Sequence, residues 1–258
     1  MQKKTAELGK EVAEDVIRPS SKSIGNNLGK LAEGVFGWLG VWGEKQKIKQ
    51  QQNLEKFKKD MSSAINQIPE ENLKEPTMSI VGPAIEASKY YYDEDYFREM
   101  FAKLIAGTCD NRLSDTISPY FVDAIKQMTQ QDALVLSSFK KVNQQAIVNY
   151  SYKLKNNGGK IRCFNYVFYL GNEDEHPETN SNSIVNLERL GFISVDYSSH
   201  LVDSSNYQRY TNDFIYMSLK QSTKQKGSQQ NLLYEDAIID KGVVSLTPLG
   251  RNFINICL

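Results

Sequence analysis

Residues 69–129, PEENLKEPTMSIVGPAIEASKYYYDEDYFREMFAKLIAGTCDNRLSDTISPYFVDAIKQMT, constrain the fold most tightly. They hold three short helix patterns separated by strong punctuation. Pro83 suits the first turn of a helix, where a missing N–H costs nothing. Ile85, Ser88 and Tyr92 follow it at helical spacing. Asp93 is placed to cap the next helix, and Glu94 and Asp95 suit its positive end. Phe97, Met100, Phe101, Leu104 and Ile105 then make one apolar stripe. Gly107 and the polar run CDNRLSD end it. Ser118-Pro119 reads as a cap and first helical residue, ahead of the stripe Phe121, Val122, Ile125 and Met128.

The remaining residues divide around this stretch. Residues 1–68 carry a net charge of about +4, 69–135 about −6, and the rest about +2. The acidic middle opposes nucleic acid wrapped round the centre of the molecule. Residues 21–43 repeat Ile24, Leu28, Leu31, Val35, Leu39 and Trp42 at a helical period. Glycines at 25, 29, 34, 37, 40 and 43 interrupt that pattern and forfeit roughly 5 kcal/mol of helix propensity. Close helix approach at Gly25 and Gly29, or insertion into a lipid interface, would offset the cost. Phe36, Trp38, Leu39 and Trp42 could each gain about 1.5–3 kcal/mol on burial, so they are the residues expected to contact a membrane or a partner. The structural alternative is packing on the helices of 69–129. Residues 44–68 read as a third helix, polar at first, then apolar at Leu54, Phe57, Met61, Ile65 and Ile68.

After Thr129 the pattern changes. Thr129-x-x-Asp132 is a capping box with Asp in place of Glu. Asn157-Gly158 between extended runs predicts a hairpin, and 172–180 reads as a solvated loop. A helix at 183–190 is expected to end at Gly191 and lead into the strand FISVDY. DFIYMSLK and GVVSLT read as further strands, and Pro248 opens a closing helix. Residues 221–242 read as an insertion, with a basic tip followed by a short helix. This order resembles the winged-helix domains of bacterial regulators. The outward side of its recognition helix would hold Asn186, Glu188 and Arg189, and its wing Lys220, Lys224 and Lys226. Asn186, Arg189 and the three lysines are thus the candidate contacts for nucleic acid or a partner.

The reading is a mainly α fold with a small β portion, an α+β class. Its parts are an N-terminal helical arm (1–68), a helical core (69–128) and a winged-helix-like domain (129–258) with an inserted wing at 198–242. Cys109, Cys163 and Cys257 lack metal or disulfide spacing. His176 and His200 both fall in polar loops. Asp93, Glu94 and Asp95 are consecutive, so on a helix they fan apart and cannot share a proton. Asp236, Asp240 and Lys241 lack the spacing of a nuclease set, and no phosphate-binding, dinucleotide or nucleophile-elbow motif occurs. No catalytic constellation, cofactor or metal is therefore expected. Tyr90, Tyr91, Tyr92, Tyr96, Phe97 and Phe101 read as the rim of a core, given their acidic neighbours. The charged N-terminus and the lack of a long apolar run suit a cytoplasmic chain, at most peripheral to the inner membrane.

Four segments carry a resemblance: IVGPAIEASKYY, DEDYFREMFAKLIAGTCD, ISPYFVDAIKQMTQQDA and the preceding WGEKQKIKQQQNLEKFKKDM. Together they resemble the abortive-infection alpha (Abi-alpha) family of bacterial phage-defence proteins, closely over about residues 40–135 and loosely over the rest. The resemblance implies an anti-phage role but carries over no catalytic residue. The partners expected are a second copy of the chain or another defence protein, a phage component as trigger and, from the Gly/Trp-rich segment 34–43, peripheral membrane contact. The alternative is a winged-helix DNA-binding regulator.

Overall fold

A computed structural model describes residues 48–156, 158–171 and 178–258, with side chains from residue 52 onward. The expected helices at 1–43, with Gly25, Gly29, Phe36, Trp38, Leu39 and Trp42, lie outside the described residues. So do Asn157 and residues 172–177 of the expected loop. The fold is α+β, as the sequence predicts. The described residues fall into two compact units, 48–127 with 255–258, and 128–254.

Unit 1 is helical: α1 (Ile48–Ile65), α2 (Met78–Ser88), α3 (Asp95–Gly107) and α4 (Tyr120–Gln127). The α3 stripe is buried as its spacing predicts: Phe97, Met100, Phe101, Leu104 and Ile105 are all at most 3% exposed. α1 packs on α3. Its inward side is Leu54, Phe57, Met61 and Ile65, steps of three and four residues that fall on one helix face. A boundary at residue 68 would therefore cut this core. Three polar ties add to the packing. Arg98, 6% exposed, donates from Nε to Asp60 Oδ2 at 2.8 Å, and it also pairs with Asp95. Asn53 donates to Asp93.

Two local expectations in this unit need correction. Pro83 lies inside α2, which starts five residues earlier at Met78. Asp93 is not the cap of α3: Glu94 holds that position without a side-chain cap bond, and Asp93 is taken by Asn53. The other tight links hold. Tyr120 N donates to Ser118 Oγ at 3.2 Å just ahead of α4.

Unit 2 begins with α5 (Gln130–Ser137). Thr129 and Asp132 form the predicted reciprocal capping box. β1 (Gln144–Leu154) and β2 (Lys160–Val167) make the predicted hairpin, with Gly158 at φ +68° in its turn. α6 (Ser181–Arg189) ends in a Schellman turn. Gly191 N donates to Glu188 O and Phe192 N to Leu187 O, with Gly191 at φ +73°. β3 (Ile193–Asp196) follows, then α7 (Gln208–Thr211), α8 (Phe214–Lys224), α9 (Gln229–Leu233), β4 (Tyr234–Leu246) and α10 (Pro248–Cys257). The sheet is antiparallel in the order β2-β1-β4-β3.

The expected β wing at 198–242 is largely helical. DFIYMSLK forms α8, not a strand. Asp213 caps it by accepting from Tyr216 N, while Tyr216 and Thr223, seven residues apart, turn inward together. The short helix after the basic tip does form, as α9. It stops at Tyr234, where the chain pairs along the whole of β1.

Candidate functional site

The helix at 181–189 puts its polar residues to structural use. Asn186 Nδ2 donates to Asp132 Oδ2 at 2.8 Å, fixing α6 to the capping box of α5. Glu188 Oε1 accepts from Val195 N at 2.9 Å, which covers the edge of β3. Arg189 is exposed, and its Nη2 donates to Asn186 Oδ1 at 2.7 Å. All three side chains expected to face outward thus bond within the unit, and Arg189 is the exposed one among them. Lys220 lies on α8, 4.0 Å from Asp236, with its ammonium 5.7 Å from the Tyr216 ring centroid. Lys224 and Lys226 are exposed.

These residues do not converge. Lys220 stands beside Asp236 at the start of β4, whereas β3, which α6 packs beside, pairs with 243–246. Eight residues of strand separate Asp236 from Val244, about 26 Å at ~3.3 Å per residue.

The tyrosines that matter most in unit 2 were missed by sequence reasoning. Ala146, Val148, Tyr150 and Tyr152 alternate along one face of β1, where Tyr207, Tyr210 and Tyr216 join them. The phenols serve the backbone. Tyr207 donates to Gly242 O at 2.8 Å, Tyr210 to Ala146 O at 2.8 Å, and Tyr216 to Ala237 O at 3.1 Å. Burial pushes Tyr150 and Tyr169 above the ordinary phenol range, which keeps them neutral. The Arg209 guanidinium lies 4.3 Å from the Tyr169 ring centroid. No pattern marks this set in advance, because its members are spread over 146–216. The tyrosines singled out from the sequence lie in unit 1. Tyr91 packs there on Phe97 and Phe101, and Tyr92 on Phe57, as a core rim should. Tyr90 is 74% exposed.

A groove of about 650 Å³ lies in unit 1 between α1, α3, the turn at 110–113 and residues 255–258. That volume is within the range of small-molecule sites. Ala64, Ala106 and Gly107 keep its wall low. A Cβ on Gly107 would come within 3.3 Å of Ile256 Cγ2. Its charges are mixed and mostly engaged. Asp60 binds Arg98, Lys103 Nζ donates to Leu258 O at 2.7 Å, and Arg112 grips Asp110 through Nε and Nη2. The residues lining it include no histidine or cysteine. It offers hydrogen bonds and charge to a bound group. The sequence could not announce it, because four separate segments build it.

Asp110 gives the groove a measurable handle. Its side chain is 5% exposed. The Arg112 side chain, working against burial, holds the carboxyl below its ordinary value. A depressed carboxyl contributes its full stability above the unfolded value of about 3.9 and loses it as pH falls through the lower folded value. Wild-type protein is therefore expected to lose stability below about pH 4 more steeply than Asp110→Asn, as read by denaturant unfolding at a series of pH values.

Among the described residues, no three or more His, Cys, Asp and Glu are grouped to hold a metal ion. Cys109, Cys163 and Cys257 are free thiols. No helix among those residues is long and apolar enough to cross a membrane.

Residues 49–257 match the family model described as abortive infection alpha. The match includes the part beyond residue 135, where the resemblance read from the sequence is looser. No curated protein and no solved structure matches the chain.

Proposed function

We propose, given that the chain belongs to the abortive infection alpha family, that it is an anti-phage defence protein acting by binding rather than by catalysis. The family match over 49–257 is the observation that carries this reading, since family membership suggests abortive-infection defence. The N-terminal segment supplies the contact, through Phe36, Trp38, Leu39 and Trp42 in a glycine-rich context. Its occupant is a membrane or a protein partner, a second copy of the chain included, and a phage component is the trigger. The protein acts in the cytoplasm, peripheral to the inner membrane.

Three features support binding. The groove of unit 1 has most of its charges paired, and no histidine or cysteine lines it. The segment 34–43 lies ahead of the matched region, which starts at residue 49. It also combines aromatic side chains with flanking lysines, as interfacial segments do. The regulator alternative loses ground because Asn186 and Glu188 are spent inside unit 2.

The test compares plating efficiency of phage on cells producing wild type or Trp38→Glu. The variant should melt as wild type does and lose most of the protection. Full protection by Trp38→Glu would remove the segment from the mechanism. Unfolding of the variant would show Trp38 to be a core residue and would equally end the proposal.

A further inference from the structure

A surface of unit 2 has the make-up of a membrane contact. α8 turns Tyr216 and Thr223 inward, at 8% and 3% exposure, and so presents its opposite side to solvent. Phe214 and Met217 stand there, three residues apart and therefore on one side of the helix, at 79% and 52% exposure. α9 is held to the end of α8 by Asn231 Nδ2 on Thr223 O at 2.6 Å and Ser228 Oγ on Ser222 O at 2.9 Å. It exposes Leu232 and Leu233, at 69% and 45%. Four large apolar side chains on one helical pair exceed the scattered exposure of an ordinary surface, and such patches mark contact sites.

Charge selects the occupant. From Phe214 through Tyr234 there is no Asp or Glu; Lys220 is set against Asp236, and Lys224 and Lys226 are exposed. Lys224 follows Met217 by seven residues, two helical turns, so it shares the exposed side. A second copy seated on this face would set lysines against lysines across a two-fold axis. A nucleic acid would meet the lysines but leave most of the apolar surface in water. An anionic bilayer suits both: the apolar side chains enter the acyl boundary and the lysines remain among the headgroups. We propose that the α8–α9 face docks on an anionic lipid surface.

The test is co-sedimentation of the full chain with phosphatidylcholine vesicles, with and without phosphatidylserine. Wild type should pellet with the phosphatidylserine vesicles only, and added salt should release it. Phe214→Ser with Met217→Ser should lower that partition at least about tenfold, as should Leu232→Ser with Leu233→Ser. Lys224→Glu with Lys226→Glu should do the same while leaving the melting curve unchanged. All six positions are exposed, so folding survives the changes. Wild type that ignores phosphatidylserine would overturn the proposal. So would α8–α9 variants that bind as wild type does, including the case in which only Trp38→Glu abolishes binding and the contact belongs to the N-terminal segment. A doubled mass in light scattering that Phe214→Ser halves would assign the face to a second copy, and would overturn it too.

Discussion

Phe57→Ala is expected to destabilise unit 1 by about 3–5 kcal/mol, the range for emptying a buried aromatic site. Phe57 is fully buried, and its ring centroid lies 5.1 Å from that of Tyr92. It stands in the middle of the α1 stripe, between Leu54 and Met61, so no neighbour can swing in from solvent to fill the space. A domain holds only about 5–15 kcal/mol in total, so the loss takes a large share of it. Denaturant unfolding of the full chain should show an earlier transition for unit 1. Lys59→Ala, an exposed change on the other side of α1, should stay within about 0.5 kcal/mol. A Phe57→Ala protein as stable as wild type would mean that α1 is not packed on α3. The same packing predicts that deleting residues 1–68 yields insoluble protein, because Leu54, Phe57, Met61 and Ile65 leave together. The N-terminal segment is properly tested by a deletion that stops before α1.

Gly250→Ala is the matching change in unit 2. A Cβ at Gly250 would run into the carbonyl oxygen of Phe192, with the carbonyl carbon at 2.8 Å and Leu246 Cδ1 at 2.9 Å. That carbonyl cannot retreat cheaply. It accepts from Thr247 N at 3.0 Å and from Thr247 Oγ1 at 3.1 Å, while the same hydroxyl lies 2.6 Å from Gly191 O. The Phe192 ring packs 4.4 Å from Phe253 on α10. Overpacking of this kind costs about 1–3 kcal/mol, more where backbone must move. The melting transition of unit 2 should fall well below that of Arg251→Ala, an exposed neighbour. Equal melting of the two variants would contradict the close approach of α10 to the turn at 191–192.

What the sequence made legible is what short-range physics decides. The α3 stripe, the Thr129–Asp132 capping box, the 157–158 hairpin and the glycine stop at 191 each rest on neighbours within a few residues. The α8 error shows the limit. FIYMSL suits strand and helix equally, and the choice falls to remote partners: Tyr216 bonds to Ala237 O and packs against Tyr150. Asp93 shows the same limit, since its donor Asn53 lies 40 residues away. Of the candidate contacts, Asn186 was read as outward because spacing alone cannot reveal Asp132, 54 residues earlier, as its acceptor. The groove and the tyrosine face were illegible for the same reason, being assembled from distant segments. The 214–234 stretch gave a partial signal, three lysines without an acidic residue, but its apolar exposure became visible only once α8 had formed.

Abortive infection makes a prediction about the infected cell itself. Cultures producing the wild-type chain, infected at low and at high multiplicity, separate it from other kinds of defence. At low multiplicity the culture should survive with few progeny phage, because the first infected cells die before release. At high multiplicity the same culture should collapse without a burst. Survival at high multiplicity, or an undiminished yield of phage at low multiplicity, would contradict a role in abortive infection.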